Sequence, residues 1–259
     1  MDNTPVVCAI MLVNGREAMV QRALKCWRAQ TYVKKRLLVL DSGAEQVHGT
    51  PYGETDATTV WMPDMRAQTI GALRNSANWC AVERYRPEVI VHWDSDDWSH
   101  PKRIEEQVAT LFLPPSRERH LNPRALIEEQ LASLLTAPSG VVGYTEMLFW
   151  DSTPGQFAGA WRYRQSNPAL PLGTSLCYWS AAWLGCAFEH ITPPGGEDVR
   201  WLSRQHPYPR GLSSIPAEGR PRMIAAIHGD NTSSQILPEA REWSRAPEYD
   251  TYCREVMAL

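Results

Sequence analysis

Apolar residues run almost unbroken through Pro5–Val13 (PVVCAIMLV), which suits a strand buried on both faces of a parallel sheet. The next stretch changes period. Val20, Ala23, Leu24 and Trp27 recur at i, i+3, i+4 and i+7, which predicts a helix over about Glu17–Gln30. Asn14 and Glu17, three apart, have the spacing of its N-cap and N3 partner. Arg36–Leu40 predicts a second strand ending at Asp41-Ser42-Gly43, and Thr59–Trp61 a short third. Ile70–Glu83 returns to the helical period, with Ile70, Leu73, Ala77, Cys80 and Ala81 turned inward. Val89–His92 is strand-like again, and Pro101 opens a helix striped by Ile104, Val108, Leu111 and Phe112. This βα alternation predicts an α/β fold, a mostly parallel Rossmann-like sheet flanked by helices.

Past residue 112 the alternation stops. Pro114–Arg124 opens with two adjacent prolines and carries Arg117, Arg119, His120 and Arg124, the composition of a solvated loop or an acceptor-side insertion. Leu126–Leu135 predicts helix. Val141–Trp150 and Ala158–Tyr163 predict strands around the turn signals of Asp151–Gly155, and Leu176–Trp179 another, leading into a short SAAWLGC helix. Gly195-Gly196 precede Glu197-Asp198, which open a helix holding Trp201 and Leu202. Met223–His228 is the last apolar strand, and the tail beyond Ser233 is polar with a weak helix at its end. With no repeat, low-complexity block or linker, one domain over 1–259 is expected. Its parts run over about 1–112, about 138–232 and a tail (233–259).

Composition narrows the classes. A net charge of −3 offers no extended surface for nucleic acid. The six cysteines show no C-x-x-C pair, and no signal peptide is recognisable at the N-terminus. Reduced thiols and a cytoplasmic location are therefore expected, with peripheral attachment to a membrane left open. No apolar run approaches the ~20 residues that span a bilayer.

The chemistry concentrates where Val89–His92 ends, at Asp94, Asp96 and Asp97. Three carboxylates within four residues repel one another unless a hard cation lies between them, and oxygen donors at this density suit Mg²⁺ or Mn²⁺. Carboxyl ends of strands are also where open α/β sheets bind ligands, so a phosphorylated ligand held through a metal is expected. A solvated acidic turn capping the next helix is the plainer reading of the same letters.

Taken in order, LLVLDSG, GALRNSAN, HWDSDDW and GGEDVRW resemble the motifs of a family 2 glycosyltransferase of the GT-A fold, over about Val6 to Asn231. The resemblance implies a nucleotide-binding half over about 1–112 and a smaller, antiparallel acceptor-binding half over about 138–232, and it implies roles residue by residue. Asp41 would accept from the nucleotide base, Arg74 would lie near the nucleotide, and Asn75 would hold its turn. Asp94 would face the ribose and Asp96 the metal, with His228 a late metal ligand. Glu197-Asp198 would be the catalytic pair, with Asp198 as the base. The activity implied is metal-dependent, inverting transfer from a nucleotide-sugar donor, UDP-linked by preference, to a hydroxyl on a glycan, a lipid-linked glycan or a small molecule. A DNA acceptor is disfavoured by the net charge without being eliminated. Two departures stand out. The second strand ends Asp-Ser-Gly rather than Asp-Asp, which weakens the base contact. The processive synthases' Q-x-x-R-W motif is absent too, so one sugar per encounter is expected. Two rivals remain at this stage: a nucleotidyltransferase, with VNGRE as its weak phosphate loop, and a non-catalytic nucleotide-sugar-binding module.

Overall fold

The structure, a computed structural model, describes residues 4–51, 56–113, 140–155, 157–167, 170–191, 196–205, 209–216, 220–228 and 240–258. β1 (Val7–Val13) lies between β2 (Lys35–Asp41) and β4 (Val89–His92), parallel to both, with Val7 beside Lys35 on one side and Val89 on the other. β3 (Ala57–Trp61) continues the parallel set beyond β2. Alternate β1 residues feed opposite cores. Val7, Ala9 and Met11 pack with α1 (Glu17–Arg28) and α3 (Arg103–Leu111), while Cys8 and Ile10 pack with α2 (Ile70–Tyr85). Burial on both faces is why PVVCAIMLV shows no alternation. Each buried Val, Leu or Ile here contributes about 1.5–3 kcal/mol of transfer free energy.

The second half runs mostly antiparallel. β8 (Cys177–Trp179) pairs antiparallel with β4 and hands the sheet to β6 (Val141–Asp151), β7 (Gly159–Arg164) and β11 (Trp243–Arg245). The eleven-residue β6 also carries β9 (Arg210–Ser213) and β10 (Met223–Ile227), both parallel to it. β10 pairs antiparallel with β5 (Trp98–Ser99), which brings its end beside the loop that follows β4. Two short helices, α4 (Ser180–Gly185) and α5 (Glu197–Ser203), cover the α2 side, and α6 (Asp250–Met257) packs into the α1 side.

Three local expectations are corrected. Asn14 does not cap α1. The N-cap is Arg16, left-handed at φ 60°, ψ 49° and with no side-chain cap, and the helix ends at Arg28. Pro101 lies in a turn before α3 rather than in its first helical turn. The tail is more than a weak helix, since Trp243–Arg245 joins β7 as an edge strand. The arginine-rich stretch 114–124, the expected helix 126–135 and residues 229–231 lie outside the described residues.

Candidate active site

β4 delivers Asp94, Asp96 and Asp97 at its carboxyl end, with one oxygen from each within 4.8 Å of the others. Asp97 is the structural member. Its Oδ2 accepts from the Thr174 hydroxyl at 2.6 Å and its Oδ1 from the Ala226 N–H at 3.1 Å, tying the loop to β10. Burial, then the charges of Asp96 and Asp94, push its carboxyl well above the usual range. Burial also raises Asp94, where the Arg74 cation pulls against it and the Asp96 charge adds to the rise. Asp96 goes the other way: burial alone would raise it, but a hydrogen bond from His228 and the charge of Arg16 hold it below the usual range.

His228 follows β10 and is 132 residues from Asp96 in sequence, yet its Nε2 lies 2.8 Å from Asp96 Oδ2. Two donors at ~2.1 Å from one octahedral ion stand about 3 Å apart, so this spacing fits a shared cation. Arg16, from the loop after β1, places Nη1 3.1 Å from the same oxygen and 3.0 Å from His228 Nε2. Arg22 of α1 steadies the loop from behind. One Nη donates to the Asp96 carbonyl and the other, at 2.6 Å, to the Met257 carbonyl at the end of α6.

The second acidic pair divides its work. Glu197 is buried and paired with Arg74 of α2, Nη1 to Oε1 2.5 Å. Asp198, half-buried, accepts from the Val199 N–H through Oδ1, and its Oδ2 lies against the α-carbon of Gly173. Gly173 is followed by Thr174, the partner of Asp97, so two residues of chain join the Asp198 carboxylate to the acidic strand end. A buried circuit holds this arrangement. The Gly173 carbonyl contacts His92 Nδ1 (2.7 Å), His92 Nε2 contacts the Tyr178 hydroxyl (3.2 Å), and that hydroxyl donates to Asn78 (3.0 Å). Asn78 then donates to the carbonyl of Arg74 (2.8 Å), which grips Glu197. Burial, then the Arg74 charge, hold His92 well below its ordinary pKa, so it is neutral and its Nδ1–H donates to Gly173.

Gly173 offers a clean probe, because a β-carbon there would sit 1.9 Å from Asp198 Oδ2. Its backbone is not left-handed, so alanine adds bulk without backbone strain. Gly173→Ala should displace the Asp198 carboxylate and slow any reaction that uses it about a hundredfold, the order reached when a reacting group is misplaced by about 1 Å. Mn²⁺ affinity at the acidic strand end, read by calorimetry, should hold.

No protein-family model matches the sequence, and no curated protein does. Solved structures do match. S. aureus TarS 1–349 in complex with UDP-GlcNAc superposes at a TM-score of 0.57, with 15% identity over 89% of this chain and 61% of that one. The same TarS segment alone gives 0.55, with 14% identity over 85% and 60% of the two chains. In complex with UDP it gives 0.53, with 13% identity over 85% and 60%. The present chain therefore spans about 60% of their length. The chain has the GT-A glycosyltransferase fold.

Within this glycosyltransferase fold, not every residue singled out in the sequence stands at the open site. Asp94 lies with Asp96 and Asp97, His228 meets Asp96, and Asp198 reaches Asp97 through Gly173-Thr174. Asp41 is fully buried, its Oδ1 accepting from Gly43 N–H (2.9 Å) and its Oδ2 from Val47 N–H (2.8 Å). It shapes the loop after β2, against which half-exposed Trp61 leans through a 3.1 Å bond from Nε1 to the Gly43 carbonyl. Asn75 braces residues 183–188. It donates to the Phe188 carbonyl (2.9 Å) and accepts from Trp183 Nε1 and Phe188 N–H, each at 3.0 Å. Sequence reasoning missed Arg22, Gly173 and Thr174, which carry no motif, and it met Arg16 only as one letter of VNGRE.

Proposed function

We propose that this chain is a metal-dependent glycosyltransferase that moves a sugar from a nucleoside diphosphate donor, UDP-linked, to an acceptor hydroxyl with inversion. The observation that carries the reading is the joining of two acidic sites. Asp94, Asp96 and Asp97 bring carboxylate oxygens together at one strand end, His228 meets Asp96, and Asp198 reaches Asp97 through the two-residue bridge Gly173-Thr174. The fold shared with TarS, a protein solved with UDP-GlcNAc and with UDP, supports a nucleotide-sugar donor.

Asp96 and His228 would hold Mn²⁺ or Mg²⁺, with Asp94 turned towards the donor. The bound ion supplies the positive charge that a departing diphosphate needs. Asp198 Oδ2 takes the proton of the acceptor hydroxyl as its oxygen bonds to the anomeric carbon. The bond from that carbon to the diphosphate breaks at the same time, releasing free UDP and inverting the centre. Glu197, neutralised by Arg74, holds α5 in place while its neighbour reacts. Asp41 acts indirectly in this scheme, by setting the loop 41–47 that borders the base. Acceptors of the glycan, lipid-linked or small-molecule kind fit a single hydroxyl attack. No helix among the described residues is long and apolar enough to cross a membrane.

A calorimetric screen of nucleotide sugars with Mn²⁺, followed by product analysis, tests the reading. Release of free UDP is expected; release of pyrophosphate would point to nucleotidyl transfer, and binding without turnover to a sugar-nucleotide receptor. Asp96→Ala should abolish the Mn²⁺ dependence of UDP binding while leaving the melting temperature within a few degrees. Unaltered Mn²⁺ dependence in that variant removes Asp96 from the metal site.

A further inference from the structure

Arg16 Nη1, Asp96 Oδ2 and His228 Nε2 form a triangle with sides of 3.1, 3.0 and 2.8 Å. No protonation state turns all three sides into hydrogen bonds. If His228 Nε2 carries a proton it donates to Asp96, and then two donors, Nε2–H and the Arg16 N–H, face each other. If Nε2 carries a lone pair, Arg16 can donate to both neighbours, but the imidazole lone pair then faces the carboxylate oxygen. A single positive ion in place of the guanidinium removes the conflict, because it takes lone pairs from Asp96 and His228 together.

The arginine also has room to leave. Gly15 before it is left-handed at φ 72° with nothing within 4 Å of an added β-carbon, and the Arg16 side chain is the most exposed of the three. Its backbone is anchored separately, since its carbonyl accepts from Met19 and Val20 N–H to start α1. Movement is thereby confined to the side chain.

We propose that Arg16 is a tethered cation that holds the divalent-ion position between Asp96 and His228 and exchanges with the ion, moving onto the donor's diphosphate. The inference rests on the metal-dependent donor reading and adds an order to it. The ion alone must evict a guanidinium into water and binds weakly. With a nucleoside diphosphate present, the evicted fork gains a bidentate phosphate partner, so ion and donor favour each other. The loop after β1 thus reports arrival of the diphosphate to the metal site.

The test titrates Mn²⁺ into the full chain and into Arg16→Gly and Arg16→Gln, with and without saturating UDP. Binding is read by calorimetry and by loss of the free-ion paramagnetic resonance signal. Glycine suits the left-handed backbone at this position, and glutamine keeps a side chain of similar reach without charge, so neither variant depends on the other for a folded sample. Both variants should bind Mn²⁺ alone about tenfold more tightly than the native chain, the factor expected if the guanidinium blocks the site ~90% of the time. Both should also show a smaller gain in Mn²⁺ affinity when UDP is added. Equal or weaker Mn²⁺ binding by the two variants, with the native chain still binding Mn²⁺ beside UDP, overturns the exchange and leaves the donor reading standing. A native chain that binds no Mn²⁺ even with UDP overturns both.

Discussion

Under the proposed mechanism, Asp198→Asn should keep the native affinity for nucleotide sugar and transfer it ~10²–10⁴-fold more slowly, the usual cost of losing a general base. The expectation comes from how the two acids of α5 are used. Glu197 is buried in an ion pair with Arg74 and has no freedom to meet an acceptor. Asp198 is half-buried and placed against Gly173, next to the residue that bonds Asp97. Asparagine keeps the shape and can still accept from Val199 N–H through its amide oxygen, so fold and donor affinity should survive while the proton acceptor is gone. Single-turnover rates with saturating donor, alongside calorimetric donor affinity, separate the two. Near-native turnover would remove Asp198 from the mechanism, and a product that keeps the donor's anomeric configuration would remove the inverting scheme.

The largest effect on stability should come from Arg74→Ala. The pair it forms with Glu197 has side chains 10% and 8% exposed, so removing the guanidinium leaves a carboxylate buried without its counter-charge. Breaking such a pair from one side costs ~3–5 kcal/mol. For a chain of this size each kcal/mol is worth about 2–4 °C, so the melting temperature should fall by about 10 °C. The fall should be smaller when Glu197→Gln is added, because the second change removes the stranded charge. A double-mutant cycle on thermal or urea unfolding reads this coupling directly. If the single and double variants are equally destabilised, the pair is not what anchors α5. The same cycle bears on function, since Arg74 also closes the circuit through Asn78, Tyr178 and His92 that seats Gly173 beside Asp198.

Gly173→Ala and Arg74→Ala approach the Asp198 carboxylate from opposite directions. The first presses on it from the 173–174 bridge, and the second loosens the helix that carries it. A shared loss of turnover, with a large fall in melting temperature in Arg74→Ala alone, would separate positioning from folding.

Much of this molecule was legible in its letters, wherever a property is set by near neighbours. An unbroken apolar run such as 7–13 has to be covered on both faces, which calls for a central parallel strand, and β1 is one. The 3.6-residue spacing of Val20, Ala23, Leu24 and Trp27 allows one buried stripe, and all four are buried in one core. Asp94, Asp96 and Asp97 are close in sequence, so the fold delivers all three to one strand end. What the tertiary structure decided is which polar group each of them meets. Asn14 has the chemistry of a cap, but the chain turns left-handed at Arg16 and the helix starts without it. Asp41 ends β2, and the fold turns its two oxygens onto the Gly43 and Val47 N–H groups. Glu197 and Asp198 are chemically alike and adjacent, and only the approach of Arg74 from α2 makes one a buried anchor and leaves the other to face Gly173. His228 and Arg16, 212 residues apart, meet at Asp96 because β10 pairs with β5 and β6 and β1 lies beside β4. A hydrogen bond or ion pair acts over about 3 Å, so its partner is chosen by whatever the sheet brings that close, and sequence spacing holds no record of the choice.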